Sequence, residues 1–285
     1  MLYFFSEDST LLVSTLISII HIYIFKKYKD VGILSNLQIW LYGTTASLVA
    51  GLATVIGAIP VLFMKKELSD KQMDLLLGFA AGVMLSATMF SLIVPSLDKG
   101  GVVITIVGIL AGSIVIDLFD RFSPHEHFLK GHEGPEAMKL KKIWLFIIAI
   151  TLHNFPEGMA VGVSFGGGMV SNGISIAIAI GLQNIPEGTA TAFSLLQANY
   201  SKKQSFFWTL LTGLVEPLGG LLGASLVVLM EPLLPFFLSF AAGAMLYVIS
   251  DEIIPETHSH GNEEIATFSL IAGFLLMLAL DVAFG

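Results

Sequence analysis

Cysteine is absent from all 285 residues, which excludes disulfides, thiolate metal sites and a cysteine nucleophile. Charge is scarce as well. Asp, Glu, Lys and Arg make up 13% of the chain, against ~25% for an ordinary soluble domain. Positive charge is the scarcer sign, with 14 Lys and Arg against 22 Asp and Glu and a formal net charge of −8. That balance excludes a nucleic-acid partner, because such binding depends on basic neutralisation of phosphate. The N-terminus MLYFFSEDST lacks the basic region of a cleavable signal peptide, and its apolar run is followed by Lys26, Lys27 and Lys29. A short first helix that stays is expected there.

What the chain has in quantity is apolar sequence: 55% hydrophobic residues and a mean hydropathy of +0.83. The charges cluster, and the runs between them reach the length of roughly 20 residues that crosses a ~30 Å hydrocarbon core. Nine spans are expected, at about 9–25, 38–64, 72–97, 101–121, 142–165, 172–197, 205–230, 232–255 and 264–284. The fold class is therefore an all-α integral membrane protein. It is one polytopic domain over 1–285, with an N-terminal helix within 1–30. Connectors near 65–71, 121–142, 198–204 and 256–263 share one face and hold ten of the 14 Lys and Arg. The others are Lys26, Lys27, Lys29 and Lys99. The majority makes the first face cytoplasmic, and with it the histidine-bearing loop at 121–142.

Two internal likenesses stand out. GFAAGVML at 78–85 recurs as SFAAGAML at 239–246, matching Met84 to Met245, and LHNFPEG at 152–158 recurs as LQNIPEG at 182–188. By the count of sides, each pair runs antiparallel, the pattern of an inverted-topology repeat with a site near the membrane midplane.

The doubled motif carries the chemistry. Residues three and four apart share a helix face, so His153 and Asn154 both lie under Glu157, and Gln183 and Asn184 under Glu187. Two such helices facing each other offer two bridging carboxylates flanked by an imidazole and amide oxygens, a ligand set for one or two divalent cations. Pro156 and Pro186 cannot donate to the carbonyls of Leu152 and Leu182, so each helix is expected to break there and line a cavity. Gly158 and Gly188 permit close approach of a neighbouring helix. Charges within a span mark function by default, and no Lys or Arg lies within a central span to neutralise these. Glu216, in GLVEPLGG, is a natural extra ligand. Met84 would bias a site toward softer metals. Asp98 and Asp281 fall at outer span ends. Asp74, Asp120, Asp251, Glu252 and Glu256 fall toward the cytoplasm, with His125, His127, His258 and His260 in adjoining loops.

HNFPEG paired with QNIPEG, a Glu-Pro on the following span and a histidine-bearing loop before the first motif resemble the ZIP (Zrt/Irt-like) family of divalent metal transporters, in its bacterial GufA-like branch. The resemblance covers the chain from about residue 38. It implies an eight-helix core, two three-helix inverted repeats around the fourth and fifth helices (3+2+3), with 9–25 as an extra N-terminal transmembrane helix. It also implies passage of zinc and related metals into the cytosol across the plasma (inner) membrane, and a homodimer. One metal position would use Met84, His153, Glu157, Gln183 and Glu187. The other would use Asn154, Glu157, Asn184, Glu187 and Glu216. Asp98 and Asp281 match entrance positions. Asp74, Asp120, Asp251 and Glu252 match the cytoplasmic exit, with His125 and His127 as loop ligands. Asn184 and Asp251 stand where close bacterial members can carry aspartate and histidine, and Gln183 where many carry histidine. The amide at 184 removes one charge from the second position, and Gln183 softens the preference for zinc.

The expected function is transport of Zn²⁺, with Cd²⁺, Fe²⁺ and Mn²⁺ also considered, as substrate and not as cofactor; no enzymatic role is expected. Mg²⁺ fits a His-containing site poorly because it dehydrates reluctantly. Two other readings compete. An intramembrane metal-dependent hydrolase needs an open metal position and a general base, but HExxH is absent. A carrier of another substrate, with glutamates that bind protons, predicts that His153 is dispensable for metal binding.

Overall fold

The computed structural model describes residues 34–64, 68–122, 125–127, 131–133, 142–168 and 170–284. The expected span at 9–25 lies outside them. The first described helix, α1 (Asn36–Phe63), opens on a Ser-x-x-Gln box. The same box opens α2 (Asp70–Ala87) and, later, α6 (Lys202–Gly213). In each, the glutamine side chain accepts from the serine backbone N–H, at 2.9, 3.0 and 3.0 Å, and meets a donor that the helix cannot.

A π-turn, Thr88–Ile93, carries α2 into α3 (Val94–Phe122). The stretch 70–119 is 50 residues long, roughly 75 Å if it were one straight helix, far more than one crossing. It folds back at Gly101, whose φ of 74° and ψ of 174° are not helical. The hydroxyls of Ser96 and Thr105, nine positions apart, consequently meet at 2.9 Å. Beyond α3, β1 (His125–His127) and β2 (Gly131–Glu133) pair antiparallel, a small hairpin where a loop was expected. The central pair follows, α4 (Lys142–Ser164) and α5 (Val170–Gln197), then α6, α7 (Glu216–Leu229), α8 (Leu234–Val248), a second π-turn (Ile249–Ile253), α9 (Ile254–Thr257) and α10 (Glu263–Phe284).

Two expectations about helix breaks need correction. Helices α4 and α5 continue through Pro156 and Pro186. One missing N–H does not end a helix whose turn is held by neighbours, and here Gly158 and Gly188 let α7 and α1 press against that turn: a Cβ on either would strike the carbonyl oxygen of Glu216 or of Thr54. The break falls in the expected span 205–230, at Leu214–Val215, so Glu216 lies in the first turn of α7. Pro217 sits beside it, where a missing N–H costs nothing.

Packing divides the helices into a bundle of α1, α4, α5 and the α6–α7 span, flanked by the pairs α2/α10 and α3/α8. Exchanging the two halves of the chain maps these contacts onto themselves. Gly82 and Gly243, equivalent in the repeated octapeptide, serve equivalent joints: a Cβ on Gly82 would strike the Leu270 carbonyl oxygen of α10, and one on Gly243 the Ile109 carbonyl oxygen of α3. Small residues let helices approach closely where lipid offers no hydrophobic drive. The π-turns correspond as well. Val94 N–H donates to Met89 O and Ile254 N–H to Ile249 O, five residues back, each just before a proline. Outward, α3 exposes Val102, Val103, Ile106, Val107, Leu110, Ile114 and Phe119. Five helical stretches among the described residues are long and apolar enough to cross a membrane.

Gly82→Ala and Gly243→Ala should each lower stability in detergent by about 1–3 kcal/mol, the usual range for overpacking. Thermal unfolding of both variants checks this, and the two losses should be similar because the joints are equivalent.

Candidate functional site

Helix α4 brings His153, Asn154 and Glu157 to the bundle interior, α5 brings Gln183, Asn184 and Glu187, and the break before α7 brings Glu216. Asn154, Glu157, Gln183, Asn184 and Glu216 are each at most 1% exposed, so they face one another and not lipid. Gln183 Nε2 donates to Glu157 Oε1. Asn184 Nδ2 donates to Glu216 Oε1 at 2.6 Å and to the Ala50 carbonyl oxygen at 2.8 Å. Glu157 lies in the electrostatic field of both Glu187 and Glu216.

With the amide nitrogens so committed, acceptor oxygens are left over. Ten buried side-chain polar atoms among the described residues lack a hydrogen-bond partner, and six belong to this set: Asn154 Oδ1, Glu157 Oε2, Gln183 Oε1, Asn184 Oδ1, Glu187 Oε2 and Glu216 Oε2. Leaving one such atom unpaired costs about 1–3 kcal/mol, so six at one place mark a centre arranged to receive a cation or donor. Among the described residues no three of His, Cys, Asp and Glu are grouped to hold one ion. The centre differs from such a cluster because amides supply half of these oxygens.

The remaining expected residues are distributed around it. His153 hydrogen-bonds Glu252, which joins a residue expected at the exit to one expected in the centre. Met84 is buried on α2, its carbonyl accepting from Thr88 Oγ1 at 2.8 Å, and α2 packs on α5. Asp281 accepts from Ser175 Oγ at 3.3 Å and from Ser91 Oγ. Asp98 is exposed and Asp251 half-buried. Asp120 lies in the last turn of α3, and His125 and His127 lie in β1, which rests against α4. Their side chains lie outside the described ones.

Buried Asp74 is held from the opposite end of the chain. Its Oδ1 pairs with His260 Nδ1 and its Oδ2 accepts from Asn262 Nδ2, both at 2.9 Å. Sequence reading placed His260 only in a nearby loop and did not single out Asn262, Ser91 or Ser175. No motif marks them, since their partners lie 81 or more positions away. Partial burial works against the His260 imidazolium, but the hydrogen bond and charge of Asp74, with Asp70 and Glu256, outweigh it and raise the pKa above the usual value.

Apolar helices of spanning length around a carboxylate- and amide-lined interior define a polytopic membrane protein with a polar centre. The family profile described as ZIP Zinc transporter matches residues 123–281, and similarity to curated proteins extends over most of the chain. The zinc transporter GufA of Myxococcus xanthus is 44% identical over 252 residues, 85% of this chain and 99% of that protein. The zinc transporter ZIPB of Bordetella bronchiseptica is 40% identical, covering 82% of this chain and 78% of its own length. The zinc transporter ZupT of Chlorobaculum parvum is 36% identical, covering 83% and 95%. The chain belongs to the ZIP zinc transporter family, whose members are transport proteins and not enzymes.

A histidine whose folded pKa is raised stabilises the fold below its unfolded value, about 6.5, and loses that contribution as pH rises through the higher folded value. Thermal unfolding of wild type beside His260→Ala should therefore show a gap at acidic pH that closes in alkali. A gap independent of pH would mean that protonation plays no part in the Asp74 contact.

Proposed function

We propose that this chain carries zinc across the plasma membrane into the cytoplasm, through a midplane centre built by α4, α5 and α7. The observation that carries the reading is the set of six unpartnered buried oxygens on the repeated segments LHNFPEG and LQNIPEG and on Glu216. Family membership and the zinc transporters among its relatives supply the cargo. Cd²⁺, Fe²⁺ and Mn²⁺ are the competing ions.

In this reading one position is formed by Met84, His153, Glu157, Gln183 and Glu187, and a second by Asn154, Glu157, Asn184, Glu187 and Glu216. The carboxylates of Glu157 and Glu187 bridge the two, and the amides hold acceptor oxygens in place. Asp98 and Asp281 collect the ion at the outer side. Glu252, through its contact with His153, begins the release route, which Asp74, Asp120 and Asp251 continue toward His125 and His127. The architecture is an eight-helix core in one domain, with α1–α3 and α6–α10 as inverted repeats around α4 and α5. Residues 9–25 add a further helix, 121–142 face the cytoplasm, and two copies form a dimer. The matched glycine joints and π-turns of the two halves support the repeat.

Zinc uptake into proteoliposomes is expected for the wild type and should be abolished in Glu157→Ala, which loses a carboxylate shared by both positions. Uptake that persists in the variant would remove the centre from the pathway. No uptake by either, with the wild type folded and inserted, would exclude zinc as cargo.

A further inference from the structure

A third repeat links α1 to the α6–α7 span. GLATVIG occupies 51–57 and GLVEPLG occupies 213–219, and tertiary contacts fix the same register. A Cβ on Gly57 would strike the Ile185 carbonyl oxygen, and one on Gly219 the Phe155 carbonyl oxygen. Phe155 and Ile185 are the same position of the doubled motif. Gly158 presses likewise on the Glu216 carbonyl and Gly188 on the Thr54 carbonyl. Across the joint between the halves, a Cβ on Gly51 would lie 3.3 Å from Glu216 Cβ, and one on Gly213 would lie 3.2 Å from Thr54 Cβ. Thr54 therefore holds in the first half the place that Glu216 holds in the second.

The hydroxyls of Thr54 and of Thr44, both on α1, are buried without a hydrogen-bond partner, and Thr54 is the one beside the Ala50–Asn184 contact. A threonine within a helix commonly donates to the carbonyl four residues back, as Thr45, Thr88, Thr189 and Thr209 do here. Thr54 is 2% exposed, yet its Oγ1 has no hydrogen-bond partner. The carbonyl it would use, that of Ala50, accepts instead from Asn184 Nδ2 at 2.8 Å. That same nitrogen donates to Glu216 Oε1, so Asn184 spans from the turn before Thr54 to Glu216, with its own Oδ1 unpartnered.

We propose that Thr54 supplies a neutral oxygen to the second cation position, opposite Glu216. The proposal rests on the two-position reading above and deepens it. With Asn154, Asn184, Glu157, Glu187 and Glu216, Thr54 completes six oxygen-bearing groups, with the Asn184 nitrogen committed to the protein and no sulfur. Oxygen-only sets suit hard divalent ions, whereas imidazole and thioether suit softer ones. The second position accordingly favours Mn²⁺, and the first, with His153 and Met84, favours Zn²⁺ and Cd²⁺.

Equilibrium binding of Mn²⁺ and of Zn²⁺ to the purified protein tests this, with Thr54→Val (same shape, no hydroxyl) and Thr54→Ser (hydroxyl kept), and thermal unfolding to follow the fold. Thr54→Val should bind Mn²⁺ several-fold more weakly with its tightest Zn²⁺ binding unchanged, and Thr54→Ser should stay close to wild type. Wild-type Mn²⁺ affinity in Thr54→Val would overturn the proposal, as would an equal loss in Thr54→Ser, which would assign the effect to packing. Zinc uptake measured in parallel separates the two readings. Uptake with hydroxyl-independent Mn²⁺ binding sinks only the role of Thr54. Hydroxyl-dependent Mn²⁺ binding without zinc uptake keeps that role and excludes zinc as the cargo.

Discussion

Three carboxylates, Glu157, Glu187 and Glu216, lie inside a bundle of apolar helices, and each keeps one buried oxygen without a protein partner. Burying charge in a low-dielectric interior is costly unless it is compensated, and the remainder of the fold is arranged around that demand. Glycines at 158, 162, 188, 219 and 223 bring helix backbones into contact in the bundle that holds the carboxylates. Amide side chains then meet one oxygen of Glu157 and one of Glu216 from within the protein. What is left unpaired is a set of acceptors, which is the chemistry a positive ion answers.

Polar contacts also lie toward both ends of the bundle. On one side Asp281 receives hydroxyls from the π-turn after α2 and from the start of α5. On the other, His153 meets Glu252 in the π-turn after α8, and Asp74 is clasped by the loop before α10. Both π-turns lie at corresponding places in the two halves, one turn beyond Met84 and Met245. Each re-aims side chains that a regular helix would have placed elsewhere. The two halves thus share a backbone plan while differing in side chains: Thr54 corresponds in position to Glu216, and Ser91 in one π-turn to Glu252 in the other. Such asymmetry at a symmetric joint gives each side of the centre its own donors.

Much of this was legible in the chain itself. Span positions followed from hydropathy because every backbone group in lipid has to bond within its own helix, and the described helical stretches, taken through their π-turns and divided at Gly101, begin and end within about three residues of the expected spans, in line with the ordinary ambiguity of helix ends. The doubled Asn-x-Pro-Glu-Gly motif disclosed its helix pair and its buried polar face, since i, i+3 and i+4 relations are local. Proline was read too literally. It forbids one hydrogen bond, but whether the helix stops is decided by what packs on the freed turn, and the glycine contacts of α4 and α5 keep both helices intact.

Sequence alone determined the membrane class, the repeated halves and the identity of the central acids and amides, because composition and short-range periodicity encode burial and helix faces. Tertiary structure decided which acids pair with which partners. It sent Asn184 to both Ala50 and Glu216, gave Asp74 its histidine from 186 positions away and left the Thr54 hydroxyl unclaimed. These outcomes depend on the approach of helices distant in the chain. No local pattern carries that information, and only the packing of small residues at the joints sets it.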